Sequence, residues 1–161
     1  MRINKTKKLL IALDYDSSSQ RVAEAGFSLA KAIGAEISLI HVVSDLVNYS
    51  SPLYSPIMGF GGNISSGFSQ SDIIDDQKKI SEDFLDQTKK RLNDKNIQTR
   101  VKEGDIAESI LEAAKELQAD IIVLGFQSQK WLEGIFMESI TQKLLHHSTV
   151  PLFIIPNKKQ N

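Results

Sequence analysis

Short, continuous apolar runs recur along the chain: Leu9–Leu13, Ile37–Val43, Ile121–Leu124 and Val150–Ile155, with a weaker alternating segment at Ile97–Val101. Continuous rather than alternating runs predict strands buried on both faces, as in a parallel sheet covered by helices. Segments of helical period separate them. Val22, Gly26, Leu29 and Ile33 fall on one face, Gly34 supplies the stop, and Ser17 with Gln20 reads as a capping box at the start. Segment 72–92 sets Ile73, Ile80, Phe84, Thr88 and Leu92 on one side, with charges filling the other. Asp105 with Glu108 is a second capping box, followed by Ile106, Ile110, Ala113, Ala114 and Leu117. Ser139 with Gln142 is a third, opening a short helix through Leu144 and Leu145.

Five strands alternating with four helices predict an α/β domain with a mostly parallel sheet, because each parallel crossover needs a helix. Right-handed crossovers and two faces to cover favour strand order 3-2-1-4-5 with helices on both faces. In that order the winding reverses between strands 1 and 4. Ligands of such sheets sit outside the carboxyl ends of the strands at the reversal, so the loops after Leu13 and after Leu124 form the candidate site. The whole chain, 1–161, reads as one domain.

Residues 44–71 depart from this economy. They are rich in Ser, Gly and Pro and set a long connection between strand 2 and the second helix, which is the mark of a functional or a disordered loop. Tyr49, Tyr54, Met58, Phe60 and Phe68 argue against a purely solvated linker, leaving two readings: a loop ordered over the sheet edge or a partner, and a mobile flap. Gly59, Gly61 and Gly62 neither follow a strand nor open a helix, so they are no dinucleotide fingerprint.

Composition narrows the functions. Lys+Arg 19 against Asp+Glu 20 gives a net charge of -1, which supplies no global field for nucleic acid or an anionic membrane. With no cysteine, disulfides, thiolate metal sites and thiol catalysis are excluded together. The basic start leads into an apolar run too short for a signal sequence, and no stretch approaches the eighteen or so apolar residues of a membrane helix. A soluble, cytoplasmic protein is the expectation.

Asp14 follows strand 1, with Asp16 and Ser17–Ser19 leading into the first helix. Such an Asp can accept hydrogen bonds from a base or ribose; equally, both carboxylates can simply cap the helix and make the turn. After strand 4, the segment from Gly125 to Ser139 could form an anion nest, with Gly125 permitting close backbone approach, Ser128 and Ser139 offering hydroxyls and Lys130 reaching a phosphate. Glu138 opposes this. Two unit charges about 4 Å apart cost roughly 4 kcal/mol at an effective dielectric constant of about 20.

His41, inside strand 2 among apolar neighbours, reads as a hydrogen-bonded structural histidine, and His146 and His147 suit the carboxyl end of the last helix. No carboxylate or thiol stands at ligand spacing with them, so no metal site is expected. A triad of Ser139, His146 and Asp14 lacks a nucleophile elbow. Lys5, Lys7 and Lys8 read as a solvated strand entrance, and Trp131 either packs its loop over the sheet or anchors a partner.

KKLLIALDYDSSSQRVAEAGFSLAKAIGAEISLIHVV at one end, with GDIAESILEAAKELQADIIVLGFQSQ and SITQKLLHHSTVPLFIIP at the other, resembles the universal stress protein family of the UspA type over residues 7–156, the long loop excepted. The resemblance implies a Rossmann-like, adenine nucleotide alpha hydrolase-like fold. It also implies, in ATP-binding members, a G-x2-G-x9-G-[ST] motif after strand 4, an Asp after strand 1 and an apolar strand 2 residue that touches adenine. Asp14 and Val42 match the adenine and ribose side. Gly125 is the first motif glycine, Ser128 replaces the second, Glu138 replaces the third, and Ser139 keeps the hydroxyl. Gln127 stands where the family usually has His, and Ile140 completes the candidate set. Each lost glycine removes backbone freedom that other residues reach only at a cost.

The resemblance further implies a homodimer through the last strand. Val150, Leu152, Phe153 and Ile154 lie on that strand, which the proposed order leaves at a sheet edge, where an unpaired apolar strand is an aggregation hazard and Pro151 is tolerated. Three functions follow. The first is a non-catalytic, dimeric stress-response binding module with a degenerate nucleotide pocket. The second is a signalling protein that still holds ATP or AMP. The third, a slow ATPase, lacks a general base or arginine finger in the sequence.

Overall fold

β1 (Lys8–Ala12), α1 (Ser19–Ile33), β2 (Glu36–Val43), α2 (Gln70–Leu92), β3 (Gln98–Glu103), α3 (Ile106–Leu117), β4 (Ile121–Phe126), α4 (Ile140–His147) and β5 (Leu152–Pro156) follow one another in a computed structural model. The structure describes residues 7–44, 70–126 and 140–156. All four strand pairs are parallel and the order is β3-β2-β1-β4-β5, as the alternation of elements predicts. Gln70 and Ser71 belong to α2, so the long connection is shorter than its composition suggests; residues 45–69 lie outside the described residues.

The sheet is buried on both faces, which explains its continuous apolar runs. Successive residues of a strand point to opposite sides. Leu9, Ile11, Leu39 and Val123 therefore meet α1 and α2, where Val22, Ala30 and Leu85 close one core. Leu10, Ile40, Ile122 and Leu124 meet α3 and α4, where Ile110, Ala113 and Leu144 close the other. Each fully buried Leu or Ile contributes about 1.5–3 kcal/mol, and the central strands hold most of them.

Three helix faces differ from the sequence pattern. In α1, Val22 and Gly26 are buried and Leu29 is partly buried as expected, but Ile33 is exposed and Ala23 and Ala30 take the inner positions. In α2 the inner residues are Ser81, Leu85 and Thr88, and Ile80 is 54% exposed. Ser81 and Thr88 donate their hydroxyls to Gln77 O and Phe84 O within the helix, so small polar residues are buried at no loss of hydrogen bonding and disguise the inner face. In α4, Leu144 is buried while its neighbour Leu145 points to solvent.

The helix ends also divide. Asp105 caps α3 as expected, its carboxylate accepting from Glu108 N at 3.0 Å. Its other oxygen accepts from Lys143 Nζ at 3.2 Å, tying the start of α3 to α4. Asp105→Ala is expected to lower stability by about 1 kcal/mol, read from urea denaturation, and a loss within error would mean that the cap does not stabilise α3. The Ser17–Gln20 capping box is not formed. Ser18 is the N-cap and makes no side-chain cap bond, while Ser17 Oγ donates to Asp16 Oδ1. Asp16 shapes the approach to the helix instead, accepting Ser18 N at its carboxylate in an Asx turn and Ser19 N at its backbone carbonyl. Ser139 of the third box lies outside the described residues.

Two α1 glycines have structural reasons. Gly34 ends the helix at φ 66° and ψ 38°, the left-handed conformation that favours glycine. At Gly26 a Cβ would lie 2.6 Å from Ile11 Cδ1, so the missing side chain lets α1 approach the sheet.

β5 begins at Leu152, not Val150. Val150 is held in a turn by Ser148, whose hydroxyl donates to Val150 O and accepts from Val150 N. Pro151 consequently precedes the strand, and its carbonyl accepts from Ile122 N. β5 is an edge strand, yet Leu152 and Ile154 pack partly into the core and only Phe153 among its large apolar side chains is exposed, at 42%.

Candidate functional site

At the carboxyl ends of β1 and β4, where the winding of the sheet reverses, the described residues surround a cavity of ≈ 120 Å³. This is the position physical reasoning assigns to ligands of open α/β sheets. Its apolar wall comes from both cores: Ile40 and Val42 on β2, Ile110 on α3, Leu124 on β4, Val22 on α1 and Ile140 on α4. Of the sequence candidates, Asp14, Val42, Gly125 and Ile140 are brought together here. Gln127, Ser128, Glu138 and Ser139, with Lys130 and Trp131, lie outside the described residues.

Asp14 makes the turn and also faces the candidate pocket. Its Oδ1 accepts from Asp16 N at 3.1 Å on the way into α1. Although its surface is open, the surrounding protein desolvates the carboxyl and raises its pKa; the Asp16 N–H opposes this and the Asp16 charge adds to it. Gly125 has a packing role beside any ligand role. A Cβ there would sit 2.9 Å from Val22 Cγ2, and a β-branched side chain has few rotamers with which to yield.

Several lining residues escape the sequence reading. Ser18 and Ser19 at the start of α1, and Thr141 on α4, add polar groups to an otherwise apolar wall. His41 is the principal correction. It is 6% exposed and lines the cavity, but Nδ1 has no hydrogen-bond partner among the described residues. Its ring lies 4.4 Å from that of Tyr15 and 5.9 Å from that of Phe84, and these neighbours offer ring faces and edges rather than acceptors. Burial pushes the imidazole down to about 4, so it is neutral at physiological pH. Its place beside Val42 at the carboxyl end of β2 was the available signal.

Among the described residues, no Lys or Arg lines the cavity. No group of three or more His, Asp or Glu among the described residues could hold a metal ion, and no helix among them is long and apolar enough to cross a membrane. The arrangement suits a flat, largely apolar group with hydrogen-bonding edges.

The family model for the universal stress protein family matches residues 5–156. The chain belongs to the universal stress protein family. It is 29% identical over 150 residues to universal stress protein YxiE of Bacillus subtilis, covering 92% of this chain and 97% of that one. Solved structures share the fold of this universal stress protein. One, a universal stress protein in complex with cAMP, superposes with a TM-score of 0.63 at 18% identity, covering 95% of this chain and 98% of that one. Another, from Arabidopsis thaliana with AMP bound, has a TM-score of 0.58 at 16% identity, covering 94% and 92%.

Proposed function

We propose that this universal stress protein is a non-catalytic, homodimeric stress-response module whose pocket takes the adenosine part of a nucleotide with few phosphates, AMP or cAMP in preference to ATP. The observation that carries the reading is the cavity at the sheet reversal, where Val42 and Ile140 offer an apolar slot and Asp14 a carboxylate at one end of the same space. Bound cAMP and AMP in two proteins of the same fold support the ligand class. Preference for few phosphates is supported by the lining, which has no Lys or Arg among the described residues. Sequence adds Ser128 and Glu138 at two motif glycines, the second a negative charge beside the expected phosphate path. A sequence without a committed general base or arginine finger supports a binding role over phosphoryl transfer.

Thermal shift separates the ligands. A saturating ligand at about 100 times its Kd stabilises by about 2.7 kcal/mol, or roughly 5–10 °C for a domain of this size. AMP is expected to give a shift of that order and ATP a much smaller one, and Ser128→Gly with Glu138→Gly is expected to restore the ATP shift. An ATP shift in wild type as large as that of AMP refutes the preference, and steady release of phosphate from ATP refutes the non-catalytic role. The dimer rests on Phe153 at the β5 edge. Sedimentation is expected to show a dimer at micromolar concentration and a monomer for Phe153→Lys; a monomeric wild type removes it.

A further inference from the structure

Tyr15 directly follows the pocket carboxylate Asp14 and is 50% exposed, yet its polar end is anchored. Its hydroxyl lies 2.7 Å from Ser81 Oγ on α2, and its ring lies 4.4 Å from His41 and 5.1 Å from Phe84. Proton accounting fixes the direction of the bond. Ser81 has one hydroxyl hydrogen and donates it to Gln77 O at 2.8 Å, so Tyr15 donates to Ser81 Oγ. Ser81 is fully buried, which makes it a rigid anchor.

The turn that Tyr15 occupies joins β1 to α1. Past β1, Leu13 N still donates to Ile40 O. The carboxylate bonds that follow, Asp16 N to Asp14 Oδ1 and Ser18 N to Asp16 Oδ1, hold the turn's shape but join it to itself. Tyr15 connects that shape to α2 and β2, across a sequence separation of 66 residues in the case of Ser81. Asp14 and Ser18, at either end of the turn, line the cavity.

We propose that Tyr15 is a positioning residue: its hydroxyl clamps the Asp14–Ser18 turn to Ser81, so that α2 sets the affinity of the pocket. The proposal rests on the adenosine reading of that pocket. Tyr15→Phe keeps the ring contacts and removes the clamp; Ser81→Ala removes it from the other side. With AMP as the probe, each is expected to weaken binding about fivefold, the worth of one hydrogen bond, and the double variant no further than either single one. Amide exchange at Asp16 and Ser18, measured without ligand, is expected to quicken in both single variants while the exchange of β4 amides is unchanged.

Wild type that binds neither adenosine, AMP nor cAMP, with exchange still quickened, overturns the pocket reading and keeps the clamp. Wild type that binds AMP, with both single variants indistinguishable from it in affinity and exchange, overturns the clamp and keeps the pocket. Losses that multiply in the double variant overturn the shared bond.

Discussion

Acidification from pH 7 to pH 5 is expected to cost this protein about 2 kcal/mol through His41 alone, read as a fall in urea denaturation free energy. The imidazole titrates near 6.5 in the unfolded chain and near 4 when buried in the fold. Between those values the unfolded state binds more protons, so stability is complete above about 6.5 and is lost as pH falls toward 4. The full loss is on the order of 3 kcal/mol. The other resolved shifts belong to carboxylates and to Lys78 and Lys102, which Glu103 and Glu116 hold above their usual value in the alkaline range. Asp94, Asp105 and Glu116 are held below their usual values chiefly by hydrogen bonds from Lys31, Glu108 N and Lys102 respectively, and they lose their contribution only as pH falls through the carboxylate range. Asp14 has the opposite sign, because its raised pKa favours the protonated fold. His41→Phe keeps an aromatic ring against Tyr15 and Phe84 and removes both the titration and the orphaned Nδ1. It is expected to flatten the profile between pH 7 and pH 5. An unchanged slope in that variant sinks the assignment.

Gly26→Val is expected to cost about 3 kcal/mol or more. Even the first added carbon meets Ile11 Cδ1 at 2.6 Å, Ile11 Cγ1 at 3.0 Å and Val123 Cγ1 at 3.2 Å. Ile11 and Val123 are both fully buried at the centre of the sheet, so neither can move into free space. A better helix former at this position gains about 1 kcal/mol over glycine at most, less than the overpacking removes. Gly34→Ala makes the contrast. Nothing lies near its Cβ position, and only the left-handed φ opposes the change, so about 1 kcal/mol is expected. Calorimetry of the two variants tests the ranking: equal losses would mean that α1 does not press on the sheet at Gly26.

The strand order could be read because apolar runs without alternation have one common explanation, a sheet covered on both faces, and the helices between them force parallel pairing. Placement of the site followed from that order, and Asp14, Val42, Gly125 and Ile140 do converge there. What could not be read depended on local competition between polar groups. Ser81 and Thr88 are buried in α2 because their hydroxyls bond inside the helix, so an apolar pattern assigns the face to Ile80 instead. Ser17 does not cap α1 because its hydroxyl donates to the Asp16 carboxylate, which also accepts Ser18 N in the turn before the helix. His41 reads as hydrogen-bonded from its sequence, whereas its imidazole meets two aromatic rings and a cavity, and its Nδ1 has no partner among the described residues. The phosphate half of the motif, at Gln127, Ser128, Glu138 and Ser139, is read from sequence only.

In the proposed function the sheet-reversal cavity holds adenosine through Asp14. Calorimetric titration of AMP into wild type and into Asp14→Ala at pH 7 tests it most directly. Saturable binding in wild type, weakened about tenfold or more in a variant that remains folded, is the predicted result. No saturable binding of AMP to wild type, or equal affinity in the two proteins, would contradict it.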